Sequence, residues 1–239
     1  DIANRADVQT IGPRELATTN RYELSPKELK AYQERLKSLA PGAVTNVGNA
    51  TWQGVTAHKA SVAHAGGQTG TGAKVCVLSD GVNTLSARQA TGDLPAVVTV
   101  VPGQAGSGDE GTAMLEIVYD MAPGASLYFA TGSGGVASMA TNIQSLAAAP
   151  YNCNIIVDDI TYFNEGAFQD GPIAQAVNTV TAGGVLYFSS AANSGHLTRS
   201  ESGTYEGDFV ASPNAIPAVI QNFYGAGVPI QLHAFGAAN

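Results

Sequence analysis

The sequence predicts an α/β domain built on a mostly parallel sheet, and three observations carry that expectation. From Lys74 onward, short apolar runs alternate with stretches of helical periodicity, the pattern of buried strands joined by crossover helices. Glycine-rich turns separate the runs, in a chain with 28 glycines. With 239 residues and 44% hydrophobic side chains, the chain can bury one sizeable core.

The elements follow in order. Residues 1–65 read as an N-terminal extension, because most of the basic residues lie there and one clear element appears. That element is a helix from Ser25 to about Leu39. Ser25 is a natural N-cap, Pro26 suits the first helical position, and Glu28 completes a capping box. Leu29, Tyr32, Leu36 and Leu39 then share one face, and Pro41-Gly42 ends the run.

Residues 66–195 form the α/β core. Strands are expected at Lys74–Ser79, Val97–Val101, Ser126–Ala130, Asn154–Asp158 and Val185–Ser189. Helices are expected at Gly111–Met121, Gly135–Ala148 and Gly171–Ala182, in the order strand, strand, helix, strand, helix, strand, helix, strand. Residues 196–239 turn to Gly, Pro, Ser and Asn with short apolar pieces, a loop- or β-rich segment. Open parallel sheets bind ligands beyond the carboxyl ends of their strands. The polar residues there are Asp80, Asp158, Asp159, Thr161 and Asn193.

Composition excludes several classes of function. A net charge of -8 and a pI near 4.8 repel a phosphate backbone, so no nucleic-acid partner is expected. No run is long enough to span a bilayer, and Asp1 is not followed by a basic start and apolar stretch, so a targeting peptide is expected to be absent or removed. Cys76 and Cys153 each lie at a strand-like apolar run, where a buried thiol is favoured over a bridge. His58, His64, His196 and His233 are scattered, without the spacing of a zinc site.

Three motifs carry chemistry. Val75-Cys76-Val77-Leu78-Ser79-Asp80-Gly81 is an apolar strand delivering a carboxylate into a glycine turn. Such a carboxylate can orient a catalytic base, and it can equally be a turn former or helix cap. Gly108-Asp109-Glu110-Gly111-Thr112 opens an apolar helix that ends at Ala122-Pro123-Gly124-Ala125, and acids at a helix start are already favoured by the macrodipole. Leu186 to Gly195 is a strand emptying into small residues around Asn193, whose amide can donate to an oxyanion or simply close a turn.

Taken in order, these motifs resemble the subtilase superfamily, over roughly Gly70 to Gly195. Glu110-Gly111-Thr112 stands where a subtilisin has His-Gly-Thr, and the sedolisins, or serine-carboxyl peptidases, use Glu there. The Leu-Ser-Asp strand end, the Asp-Glu-Gly helix start, the Ala-Pro-Gly-Ala turn, Val157-Asp158-Asp159-Ile160-Thr161-Tyr162 and Glu206-Gly207-Asp208-Phe209 resemble sedolisin-like bacterial subtilases. The fold implied is a subtilisin-like three-layer domain with helices on both faces of the sheet, incomplete at its C-terminus. The activity implied is that of a secreted or periplasmic serine endopeptidase acting on polypeptide.

The resemblance makes Glu110 the general base, Asp80 its orienting carboxylate and Asn193 the oxyanion donor. Sedolisins place a second acid one helical turn after the Glu, where this chain has Met114, so Asp80 or Asp159 would take that part. Asn193 follows the subtilisin pattern, since sedolisins use Asp there. Two carboxyls in contact share a proton. With Glu near ~4.3 against ~6.5 for His, a Glu base implies acidic working conditions.

The nucleophile segment of the superfamily, Gly-Thr-Ser opening a helix, does not occur in this sequence. Ser202-Gly203-Thr204-Tyr205 imitates it with Tyr in third place, and Ser79, Ser189, Ser190 and Ser194 lack the exposed turn a nucleophile needs. The expectation is that these residues alone are not catalytic and that a companion C-terminal polypeptide or a homo-oligomer completes the sheet. An inactive subtilase fold used as a peptide- or protein-binding module is the alternative. A nucleotide-binding reading of Gly66-Gly67-Gln68-Thr69-Gly70-Thr71-Gly72 fails, because that run precedes its strand. No cofactor is implied. Calcium is common among relatives, but no loop clusters enough oxygen ligands to name a site.

Overall fold

The computed structural model describes residues 17–19, 27, 30, 48–166, 169–192, 210–216, 218 and 232. Its centre is a five-stranded parallel sheet. The strands are β2 (Lys74–Ser79), β3 (Val98–Val100), β4 (Ser126–Thr131), β5 (Ile155–Asp158) and β7 (Leu186–Ser189), in the spatial order β3-β4-β2-β5-β7. A second, two-stranded sheet pairs β1 (Thr18–Thr19) antiparallel with β6 (Ile160–Thr161). All five expected core strands are present within a residue or two of their expected ends.

The helices are α1 (Gly54–Ala57), α2 (Ala60–Ala65), α3 (Leu85–Thr91), α4 (Glu110–Met121), α5 (Val136–Ala147) and α6 (Pro172–Ala182). The last three match the expected helices. The first three were not anticipated: α1 and α2 are four and six residues long, and α3 buries no residue, so none displays a long apolar stripe. The expected helix from Ser25 lies outside the described residues, as do Asn193, Ser194 and the Glu206–Phe209 segment.

Strand alternation divides the core into two layers. Val75, Val77, Leu127 and Phe129 point to one face, where Leu115 of α4 packs. Cys76, Leu78, Ala130 and Ile156 point to the other, covered by Met139, Ile143 and Leu146 of α5 and by Ala176 and Val180 of α6. This is an α/β fold with helices on both faces, consistent with a subtilisin-like domain. Burying side chains this large stabilises the fold by about 1.5–3 kcal/mol each.

The cysteines correct the sequence expectation. Cys76 and Cys153 are joined by a disulfide across a sequence separation of 77, with Cα atoms 6.1 Å apart. Cys76 lies in β2 and Cys153 just before β5, and these strands are parallel neighbours, which brings two thiols from distant positions into the same apolar layer. Sequence spacing carries no trace of strand adjacency.

Residues 48–65 bond directly to the core. Ala50 N–H donates to Asp93 Oδ1 (2.7 Å), Trp52 N–H donates to Asp120 Oδ2 (2.6 Å), and the His64 ring meets the Met121 carbonyl at 2.9 Å. By internal contacts the chain divides into two units, residues 1–193 and 194–239. In the second, Ser212 N–H donates to the Leu232 carbonyl at 2.7 Å.

Candidate active site

The chain leaves β2, runs to the β3 edge and returns through β4, then crosses to β5 and β7 on the other side of β2. The crevice at the carboxyl ends of these central strands is where such sheets place their sites. Asp80 follows β2 there, and Asp159 follows β5.

Glu110 reaches the same place because the loop from β3 to α4 is stitched to the turn after β2. Ser107 N–H donates to the Asp80 carbonyl (3.0 Å), Asn83 N–H to the Gly108 carbonyl (2.9 Å) and Val82 N–H to the Ala105 carbonyl (3.1 Å). Gly108, at φ 126, allows the close approach, since a Cβ there would strike the Asp80 carboxyl. The adjacent Asp109 locks the loop: its Oδ1 accepts from Thr84 N–H (2.7 Å), the Thr84 hydroxyl (2.8 Å) and the Thr112 hydroxyl (3.3 Å). Burial opposes its ionisation, but these bonds outweigh it and hold the carboxyl below its usual range.

Three of the expected site residues therefore converge, with distinct contacts. Asp159 is hydrogen-bonded to the Glu110 carboxyl, and Thr19 of β1 bonds it too. Asp80 Oδ1 accepts instead from the backbone, from its neighbour Gly81 N–H (2.5 Å) and from Gly111 N–H in the first turn of α4 (3.2 Å). Thus Asp159 contacts the side chain of Glu110, while Asp80 holds the helix start that carries it.

The Glu110 pKa is pushed up to about 7. Burial is the largest cause, followed by the Asp159 bond, which favours the protonated form; the Thr19 bond opposes them, and the negative charges of Asp159 and Asp80 add to the rise. The acidic working range expected of a Glu base assumed an ordinary carboxyl. In this setting half-ionisation moves to near neutrality. Glu110 Oε2 is buried and accepts no hydrogen bond.

Strand alternation separates the adjacent acids Asp158 and Asp159. Asp158 shares the face of Ile156 toward α5 and α6, and Asp159 turns toward α4. Two serines at the end of β7 match them: the hydroxyl of Ser189, its last residue, donates to Asp158 Oδ1 (2.9 Å), and the hydroxyl of Ser190, the next residue, donates to Asp159 Oδ1. Sequence reasoning assigned no part to Thr19, Ser189 or Ser190. The matched pairs Asp158-Asp159 and Ser189-Ser190 at two strand ends were the available signal; for Thr19 there was none. Asn193 lies outside the described residues. Among the described residues no group of three or more His, Cys, Asp or Glu could hold a metal ion, and no helix is long and apolar enough to cross a membrane.

No family model matches the chain. It is similar to the alkaline protease of Alkalihalobacillus alcalophilus and to the M-protease of Shouchella clausii. Each is 30% identical over 231 residues, covering 87% of this chain and 58% of the relative. The chain thus spans less than two thirds of the length of these curated relatives. The similarity, though weak, supports the subtilase superfamily, and the parallel sheet with helices on both faces agrees with it.

Proposed function

We propose that this chain is the front part of a serine endopeptidase of the sedolisin-like subtilase type, with Glu110 as general base. The single observation that carries the proposal is Glu110 itself: a half-buried carboxyl at a helix start, with its pKa pushed up to about 7 and an Oε2 that holds no hydrogen bond. In this reading Glu110 accepts the proton of a serine hydroxyl as its oxygen attacks the scissile carbonyl. Asp159 positions the Glu110 carboxyl, Asp80 fixes the helix start, and Asn193 donates to the oxyanion. The likeness to two proteases supports polypeptide as the substrate, an extracytoplasmic setting is part of the same proposal, and the net charge of -8 argues against a nucleic-acid partner.

The nucleophile belongs, in this proposal, to polypeptide beyond the motifs present here. Leu186 and Phe188 are 58% and 57% exposed on the β7 edge, apolar surface of the kind that further polypeptide covers. The test is fluorophosphonate labelling of a longer form of the protein, from acid to alkaline pH, followed by mass spectrometry. A label on a downstream Gly-Thr-Ser that falls about 10²- to 10⁴-fold in rate with Glu110→Gln supports the reading. A label on Ser190 would move the nucleophile into this chain. Peptide binding without a label at any pH would favour the inactive binding module.

A further inference from the structure

We infer that the cavity at the carboxyl ends of β5 and β7 is a pocket for a cationic side chain, lysine or arginine, and that Asp158 recognises its charge. The inference rests on the peptidase reading in one respect, that a polypeptide substrate brings the side chain. The pocket itself stands on its own geometry.

The cavity has a volume of about 410 Å³. Met139 of α5, Ile173 and Val177 of α6 and Ile160 of β6 give it apolar walls. The Asp158 carboxyl, in a residue only 5% exposed, interrupts them. It accepts from the Ser189 hydroxyl (2.9 Å) and weakly from Ile160 N–H (3.5 Å). The Tyr187 hydroxyl stands beside it, near enough for each group to bias the other's proton. It is nonetheless buried and donates to no acceptor in good geometry.

Among the described residues no Lys, Arg or His lines the cavity to balance this carboxyl. Burial raises its pKa, with the charge of Asp159 adding to the rise, while the Tyr187, Ser189 and Ile160 contacts oppose it. An arriving cation would favour ionisation and supply the missing charge. Glu165, the second acid in the lining, spends its oxygens on Ile173 N–H (3.3 Å) and Ala174 N–H (3.5 Å) at the start of α6. It adds negative potential, with each oxygen already engaged by one backbone donor.

A purely apolar guest would fill the cavity without giving the Asp158 carboxyl or the already buried Tyr187 hydroxyl a new partner. Lysine and arginine have the complementary form, an apolar stem ending in donors and charge. The cavity also adjoins the candidate site, since Ser190 lines it and bonds Asp159. A side chain seated in it belongs to a polypeptide passing the Glu110–Asp159 pair.

Titration of the whole chain with para-aminobenzamidine and with its neutral isostere para-aminobenzamide, followed by ligand fluorescence, tests the pocket without requiring catalysis. The amidine is expected to bind at least about tenfold more tightly than the amide. Asp158→Asn is expected to abolish that preference. Equal binding of the two ligands, no binding of the amidine, or a preference retained in Asp158→Asn overturns the inference. Should the variant fail to fold, the comparison in the unaltered chain still decides. Amidine preference without fluorophosphonate labelling of the longer protein leaves the pocket and removes the peptidase; labelling without amidine preference does the reverse.

Discussion

The carboxyls of Glu110 and Asp159, 49 positions apart in sequence, meet through a hydrogen bond at the carboxyl end of the central sheet. One proton held at Glu110 is what allows two acids to share that space. Several measurable consequences depend on it.

Stability should fall as pH rises through the window set by Glu110. Its pKa rises from the ordinary 4.5 to about 7 on folding, so between those values the folded chain holds a proton that the unfolded chain has released. Stability from this source is full below about 4.5 and is lost toward 7. Burial raises Glu116, Asp120 and Asp158 as well, so their contributions have the same sign. Thermal melts across this range should show a shallower slope for Glu110→Gln than for the unaltered chain. Parallel slopes would remove Glu110 as a source.

Changing the neighbours should move the Glu110 titration in opposite directions. Asp159→Asn removes a like charge and should lower the midpoint, though burial, the largest cause, keeps it above 4.5. Thr19→Val removes a bond to the charged form and should raise it, by a fraction of a unit. Carboxyl-selective NMR titration reads both. A midpoint unmoved by Asp159→Asn contradicts the contact.

Reduction of Cys76–Cys153 should lower stability by about 2–4 kcal/mol, because the bridge restricts a long loop in the unfolded chain. Denaturant unfolding with and without reductant measures this. A double Cys→Ala variant that is as stable as the oxidised chain would refute it.

Gly108→Ala should destabilise the chain by about 1–3 kcal/mol, since residue 108 sits at φ 126 and a Cβ would strike the Asp80 carboxyl. The nearby Gly103, at φ 76, has nothing within 4 Å of its Cβ position. Gly103→Ala therefore shares the backbone cost without the clash, and should perturb the Glu110 titration less than Gly108→Ala does.

The fold was largely legible because its central strands are local, continuous apolar runs, such as Lys74–Ser79, and its long helices carry strong stripes, such as Val136–Ala147. The short helices at Gly54–Ala57 and Ala60–Ala65 escaped because too few turns exist to set a period. Asp80 and Asp159 could be singled out because each follows a strand, and Glu110 because Glu110-Gly111-Thr112 resembles the motif of the sedolisins. Their division of contacts was not readable, since it depends on which face of β5 an acid occupies and on how the loop before α4 folds back. The disulfide and the Thr19 contact were hidden for the same reason: both join segments through the sheet's spatial order, which is not the order of the chain.

The pairing of Thr18–Thr19 with Ile160–Thr161 changes the arithmetic of recognition at this edge. Those main-chain positions are already taken by a strand of the same molecule, beside Glu110. In the proposed peptidase reading, a guest polypeptide taking the β1 position would enter by exchange, and its affinity would be the difference between two strands. A strand of the same chain does not diffuse away, so a guest must displace a resident whose local concentration does not fall on dilution.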